Sequence, residues 1–397
     1  MNIDLDTKYT FTSRNRIISI VLMVIGVAAI AYGFGSGQIT RTWATLLHNN
    51  FYFTAIALCG TFFVAVQYIA QAGWAIGFIR VPEAMGRFLL YGGIGMILIF
   101  FLGHHELYFW THPELYDKAS PEYDHIMVGK RGFLNMGFFS FRLIAYFVIW
   151  VAFTMILRKN SLREDVEGGL TNYKKSIPVA ATFIVLFAVT SSTSAWDFLM
   201  SIDSRWFSTM FGWYTFAGLF VSGLATMCLI ILYLKRKGYL QHIGENHLHD
   251  VGKFMFAFSI FWTYLWFSQF MLIWYANLPE EVVYYQVRWE NFRTLWAVNL
   301  CVNFIAPFLV LMTRDAKRQQ AILWVAGVII FIGHWIDVFM MTQPGIVGRD
   351  WHIGFIEIGT MLGYLGLFIY VVLNELSKAA LVPKNHPMLV ETLRHHI

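Results

Sequence analysis

The stretch 319–341, QQAILWVAGVIIFIGHWIDVFMM, decides the fold class. From Ala321 to Met341 it contains no Pro, Lys or Arg. At ~1.5 Å per residue a run of this length crosses the ~30 Å hydrocarbon core of a bilayer as an α-helix. It is too long for the ~10 residues of a membrane β-strand. Yet it carries His334 and Asp337, three residues apart and so on one helical face. An ionisable group at bilayer depth costs ~2.5–3.5 kcal/mol even on the lenient insertion scale, so such a pair marks a site by default.

Nine further runs have the same character: 17–35, 51–78, 86–110, 133–157, 177–201, 207–234, 253–277, 290–312 and 353–375. With 57% hydrophobic and 13% charged residues, the chain lies far from the ~25% charged composition of soluble domains. The expected fold class is all-α integral membrane with ten transmembrane helices. Trp43, Tyr52, Tyr108, Trp110, Trp206, Trp274, Tyr275, Trp289 and Trp351 stand near predicted ends, as interfacial anchors do. Only 111–132 and 158–176 read as long loops, and no soluble domain fits between spans.

Lys and Arg set the orientation. Ten spans put both termini on one side. That side collects Lys8, Arg14, Arg16, Arg80, Arg87, Arg158, Lys159, Arg163, Lys174, Lys175, Lys235, Arg236, Lys237, Arg314, Lys317, Arg318, Lys378, Lys384 and Arg394. The other side has Arg41, Lys118, Lys130, Arg131, Arg205, Arg288 and Arg349. This asymmetry predicts cytoplasmic termini in a bacterial inner membrane. The formal charge of +5 is then mostly a topology signal and not a nucleic-acid footprint. No cleavable signal peptide is read, because the first apolar run is too long and lacks a small-residue cleavage site. Cys59, Cys228 and Cys301 occur singly within spans, with no CxxC or CxxCH, so this chain is expected to hold no iron–sulfur cluster or covalent haem.

Two segments resemble each other. Phe141-Arg142 in span 4 matches Phe292-Arg293 in span 8, and Trp196-Asp197 in span 5 matches Trp335-Ile336-Asp337 in span 9. Such a pattern implies a parallel repeat of two four-helix bundles, spans 2–5 and 6–9, flanked by peripheral spans 1 and 10. The divisions are then 1–48 for the N-terminal tail and first span, 49–205 and 206–345 for the bundles, and 346–397 for the tenth span and tail.

His104, His105, Glu106, Arg142, Asp197, Arg293, His334, Asp337 and Glu357 all gather toward the side opposite the termini, as if around one cavity. Ser191, Ser194 and Asp197 share a stripe at i, i+3, i+6. His104, His105 and Glu106 are consecutive, about 100° apart, so they cannot all face one space. Arg142 needs a partner, with Asp197 first and Glu106 second; the same logic pairs Arg293 with Asp337. Carboxylates and imidazoles held away from water accept and pass protons. The competing reading is that Arg–Asp pairs only bolt helices together.

The half nearer the termini reads as neutral: Gln67, Gln71, Ser222, Thr226, Ser259, Tyr264, Asn299, Asn303 and Tyr364. The sequence therefore points to an outward half-channel. His242, Glu245, His247, His249 and Asp250 read as a solvated loop, and His395 and His396 as a tail. A b-type haem would need two axial histidines on facing helices; the membrane histidines adjoin Glu106 and Asp337 instead, which disfavours it. Pro307 is expected to kink span 8.

The stretch 194–214, SAWDFLMSIDSRWFSTMFGWY, carries a resemblance. With ten spans and a doubled four-helix bundle, the chain resembles the NrfD/PsrC family of quinone-interacting membrane subunits. Within that family it is similar to the F-type subunits of bacterial alternative complex III, a quinol:cytochrome c oxidoreductase. The resemblance implies these partners: an NrfD-like C subunit, a multihaem cytochrome c, a periplasmic iron–sulfur subunit, a monohaem cytochrome c and small membrane subunits. Haem c and iron–sulfur clusters would belong to partners, and this chain would offer a quinone- or quinol-facing surface and a proton outlet to the periplasm. Asp197, His334, Asp337 and Glu106, with His104, His105 and Glu357, are the proton-handling candidates; Arg142 and Arg293 are their charge partners. Two other classes compete. One is a secondary transporter that binds a small anion between Arg142 and Arg293. The other is a purely structural scaffold.

Overall fold

The computed structural model describes residues 5–395. Ten helices long and apolar enough to cross a membrane follow one another. We number them α1 (Ser13–Gly35), α2 (Ile39–Ala70), α3 (Arg80–Leu107), α4 (Met136–Glu167), α5 (Thr171–Phe198), α6 (Met210–Arg236), α7 (Glu245–Ala276), α8 (Arg293–Leu311), α9 (Gln320–Ile346) and α10 (Phe355–Ser377). Apart from one bridge between Lys8 and Ala380, the described residues contain no β pairing. In lipid this is the expected solution, since each helix satisfies its own backbone polar groups.

Helix packing gives two four-membered bundles. Helices α2, α3, α4 and α5 pack in succession, and α5 closes onto α2; α6, α7, α8 and α9 do the same. Contacts of α2 with α6 and α9, and of α5 with α6, join the two. Helices α1 and α10 pair tightly with each other and lean on α2 and α3. Gly26 and Gly363 make that pairing possible, because a methyl group on Gly26 would lie 2.4 Å from the Gly363 Cα. Helices α2 and α6 are mostly buried, whereas α1 turns most of its surface outward. Val24, Val27, Leu102, Val148 and Val185 are exposed apolar side chains of a surface that faces hydrocarbon.

Several elements differ from the sequence expectation, α7 among them, which begins at Glu245 and not at 253. Helix α2 begins at Ile39, not near 51, because nothing between Ile39 and Asn50 breaks a helix. Helix α4 runs on to Glu167 through the segment read as a loop; Gly168, with φ of 66°, ends it in a conformation that glycine adopts without penalty. A further helix, Pro279–Asn291, lies between α7 and α8. Within α8 the turn Cys301–Ile305 is a π-helix, just before Pro307, whose missing N–H leaves the Asn303 carbonyl without its usual helical donor.

Candidate functional site

In the first bundle, Asp197 near the end of α5 faces α4. Arg142 grips it with two parallel bonds, Nε to Oδ2 at 2.7 Å and Nη2 to Oδ1 at 2.8 Å. Tyr146, one turn further along α4, donates its hydroxyl to Oδ2 at 2.7 Å. The guanidinium also donates to the Phe133 carbonyl at 3.0 Å and lies 3.8 Å from the Phe133 ring centre. Both charges are buried. The pair is bidentate, neutral overall and hydrogen-bonded on every side, the geometry in which a buried ion pair persists.

In the second bundle, Asp337 on α9 is solvated differently. Asn299 of α8 donates to Oδ1 at 2.9 Å, Trp262 of α7 donates to Oδ2 at 2.9 Å, and the Tyr214 hydroxyl of α6 donates to Oδ1. All three donors are uncharged. No Lys or Arg among the described residues forms an ion pair with Asp337. Among the described residues the basic group paired with it is His334, whose Nδ1 is 3.7 Å from Oδ2. His334 is buried, and neither of its ring nitrogens has a hydrogen-bond partner among the described residues. Asn303, on the π turn, donates to Asn299 Oδ1 at 2.6 Å and to the Gly333 carbonyl at 2.9 Å, which fixes Asn299 toward the carboxylate.

A small cavity of about 20 Å³ adjoins this cluster, lined by polar groups of Tyr214, Gln269, Arg288 and Asn299 and by the apolar Trp266, Trp296 and Met340, among others. That is room for about one water. Arg288, from the helix Pro279–Asn291, closes its far end and donates to Asp203 at 3.3 Å. The Asp203 side chain is 28% exposed. Polar groups thus run from Asp337 through Tyr214, Asn299 and Arg288 to a carboxylate at the surface opposite the termini.

The remaining expected residues separate into other places. Arg293 does not meet Asp337: it is the first residue of α8, exposed, and stacks 4.8 Å from the Trp289 ring. The matching motifs concealed a register difference. Arg142 lies six residues inside α4, and Asp337 lies nine residues before the end of α9, so Arg293 is about a helical turn and a half too shallow. Asn299 occupies the place expected for the arginine. Glu106 is exposed and bonded to Thr40, not to Arg142. His105 is exposed and pairs with His112 at 2.8 Å. His104 Nδ1 is 3.2 Å from the Phe100 carbonyl of its own helix. Glu357 is buried and gripped by Arg41 at 2.6 Å through both Nε and Nη2, with His352 on the same guanidinium. The nine residues therefore do not line a single cavity. An anion site between Arg142 and Arg293 is not formed either, since Asp197 occupies the first and the second faces outward.

Sequence reasoning missed several buried polar residues. Arg41, His48, Asn49 and Asn50 were assigned outside the second span, yet all are buried on α2. His48 meets the Trp335 carbonyl at 2.8 Å, and Asn49 accepts the Trp335 indole N–H at 2.9 Å. The end near the termini is not neutral: Glu83 is buried between Arg80 and Arg158, and Arg80 reaches Asp165 at 2.6 Å. The Arg80–Glu83 spacing of three, just ahead of an apolar run, was the available signal. His247, His249 and Asp250 are buried, not solvated; His247 meets the Thr392 carbonyl at 3.0 Å and His395 meets Asp250 at 2.6 Å, docking the C-terminal segment. His396 lies outside the described residues. No group of three or more metal-ligating side chains occurs among the described residues.

A recess of about 350 Å³ lies past Asp197 on the side opposite the termini, lined among others by Lys130, Trp196, Ser201, Trp206 and Phe207. The indole nitrogens of Trp196 and Trp206 are buried with no hydrogen-bond partner among the described residues. Burial lowers the Lys130 ammonium from its ordinary value.

Fold and site define a ten-span, multi-pass α-helical membrane protein whose two bundles carry unlike buried aspartates, Asp197 and Asp337. No family model matches the chain, and no curated protein matches it in sequence.

Proposed function

We propose that this chain is a membrane subunit of a respiratory quinol:cytochrome c oxidoreductase of the alternative complex III type, and that its second bundle provides a proton outlet toward the periplasm. The assignment to that complex rests on the resemblance of residues 194–214 and of the doubled four-helix arrangement. The proton role rests on one observation: Asp337 is a buried carboxylate held by neutral donors only, beside a histidine with two unpartnered nitrogens. A carboxylate fixed by an arginine has its charge cancelled permanently. Asp337 and His334 instead have a countercharge only when a proton is present, so the pair binds one proton without adding net buried charge. On release the proton would leave through the Tyr214 hydroxyl and the water-sized space to the Asp203 carboxylate, with Asn299 orienting Asp337 and Arg288 holding Asp203.

The aromatic lining of the recess, with Trp196, Trp206 and Phe207, would take the ring of a quinone by stacking; when bound, that group supplies two-electron, two-proton chemistry. Haem and iron–sulfur centres are assigned to the partner subunits. In this reading the Arg142–Asp197 pair is structural and shapes the wall between recess and bundle.

The test is to tag the chain, extract it in mild detergent and identify what co-purifies. Recovery of a multihaem cytochrome c with an iron–sulfur subunit and a second ten-span chain is expected. Recovery of this chain alone, under conditions that keep other respiratory complexes whole, overturns the assignment.

A further inference from the structure

A second sizeable cavity lies away from the carboxylates, at the end of the helices near the termini. It is a cleft of about 370 Å³, within the ~300–1,000 Å³ of ordinary ligand sites. Its walls come from four helices: Ile18 of α1, Leu229 and Tyr233 of α6, Trp324 and Phe331 of α9, and Leu365 of α10, with others. The cleft exists because the α1/α10 pair packs on α2 and α3, leaving a gap against α6 and α9. It is elongated: the lining of α10 extends from Leu365 to Leu373, a rise of roughly 12 Å along the helix.

One end is polar and basic. Asn15 lines the cleft and donates at 2.6 Å to the hydroxyls of both Tyr9 and Tyr233. Arg236 lies 4.5 Å from the ring of Trp324, and Lys237 lies 6.0 Å from the ring of Tyr233. Both cations are exposed, and neither forms an ion pair with the described residues. No acidic residue lines the cleft among the described residues. An apolar slot parallel to the helices, with uncompensated cations at its mouth, is complementary to one molecule above all: a lipid with a negative headgroup.

We propose that this cleft holds an acyl chain of one anionic phospholipid from the leaflet on the side of the termini, with Arg236 and Lys237 on its phosphate. The lipid fills the gap that the helix packing leaves, and so ties α1 and α10 to the second bundle. This is independent of the proton-handling reading.

The experiment is native mass spectrometry of the full chain, with whatever subunits it carries, released from membranes in mild detergent, followed by identification of retained lipids. One anionic phospholipid per chain is expected, enriched over the bulk membrane. The surface variant Arg236→Gln/Lys237→Gln, which removes two exposed charges resting near the Trp324 and Tyr233 rings, is expected to reduce that enrichment by about fivefold per charge removed. Leu229→Trp, which fills the slot, is expected to expel the lipid altogether. Retention of an isoprenoid quinone or a zwitterionic lipid in its place overturns the proposal. So does enrichment that the double surface variant leaves unchanged, a measurement that stands even if Leu229→Trp fails to fold.

Discussion

Asp197 and Asp337 lie on corresponding helices of the two bundles, but Arg142 neutralises the first and no arginine or lysine among the described residues pairs with the second. The bundles repeat in packing and diverge in charge. That divergence gives the two halves different work and different responses to substitution.

The Arg142–Asp197 pair is expected to behave as a buried structural ion pair. Asp197→Asn or Arg142→Gln alone strands a charge and costs about 3–5 kcal/mol. The apolar double variant Arg142→Met/Asp197→Leu is expected to recover most of this, read as the midpoint of thermal unfolding in detergent. A single variant as stable as the parent contradicts the assignment.

His334 should respond in the opposite way. Two buried nitrogens without partners cost stability, so His334→Leu is expected to leave the chain as stable or about 1–3 kcal/mol more stable. It is nevertheless expected to slow proton release during turnover of the assembled complex. Destabilisation with normal proton release would show that the imidazole has only a packing role.

Glu83 and Glu106 make a useful contrast. Glu83 is buried between Arg80 and Arg158, whereas Glu106 is exposed with a single threonine partner. Glu83→Gln takes the carboxylate from the buried Arg158, while Arg80 keeps Asp165, and should sharply reduce accumulation of folded protein; Glu106→Gln should be silent. Quantifying the monodisperse fraction after extraction distinguishes the two.

The C-terminal segment should undock in acid. His386 packs 5.2 Å from Tyr173, and its Nδ1 accepts the Met388 N–H at 3.2 Å, which requires the unprotonated nitrogen. Burial pushes its value from 6.5 down to about 4. The docked form therefore binds fewer protons than the free segment: docking is full above about 6.5 and weakens as pH falls toward 4. Protection of the amides across 381–395, taken relative to the intrinsic exchange rate at each pH, is expected to fall as pH drops from about 6.5 toward 4, and His386→Phe should flatten that dependence.

The ten spans were legible because unbroken apolar runs of this length have one solution in lipid. The pairing of Arg142 with Asp197 was legible too, since a deep guanidinium must find a carboxylate and Asp197 is on the next helix. What could not be read was register. Arg293 copies the Arg142 motif but begins its helix, so Asn299, an amide the sequence places in the neutral half nearer the termini, reaches Asp337 instead. Arg41, Arg80 and Arg158 look like loop charges when spans are judged by hydropathy alone, because helices that continue past the apolar run carry their ends into the protein. Tyr214 and Trp262 read as ordinary core aromatics; only the fold turns their polar atoms onto a carboxylate.

The central claim is that Asp337 and His334 exchange a proton with the side opposite the termini. The most direct measurement is infrared difference spectroscopy of the reconstituted chain as pH is stepped on that side, comparing the parent with Asp337→Asn. The account predicts a carboxylic acid C=O band that appears and disappears with pH in the parent and is missing in Asp337→Asn. A spectrum in which that variant retains every pH-dependent carboxyl band would contradict it.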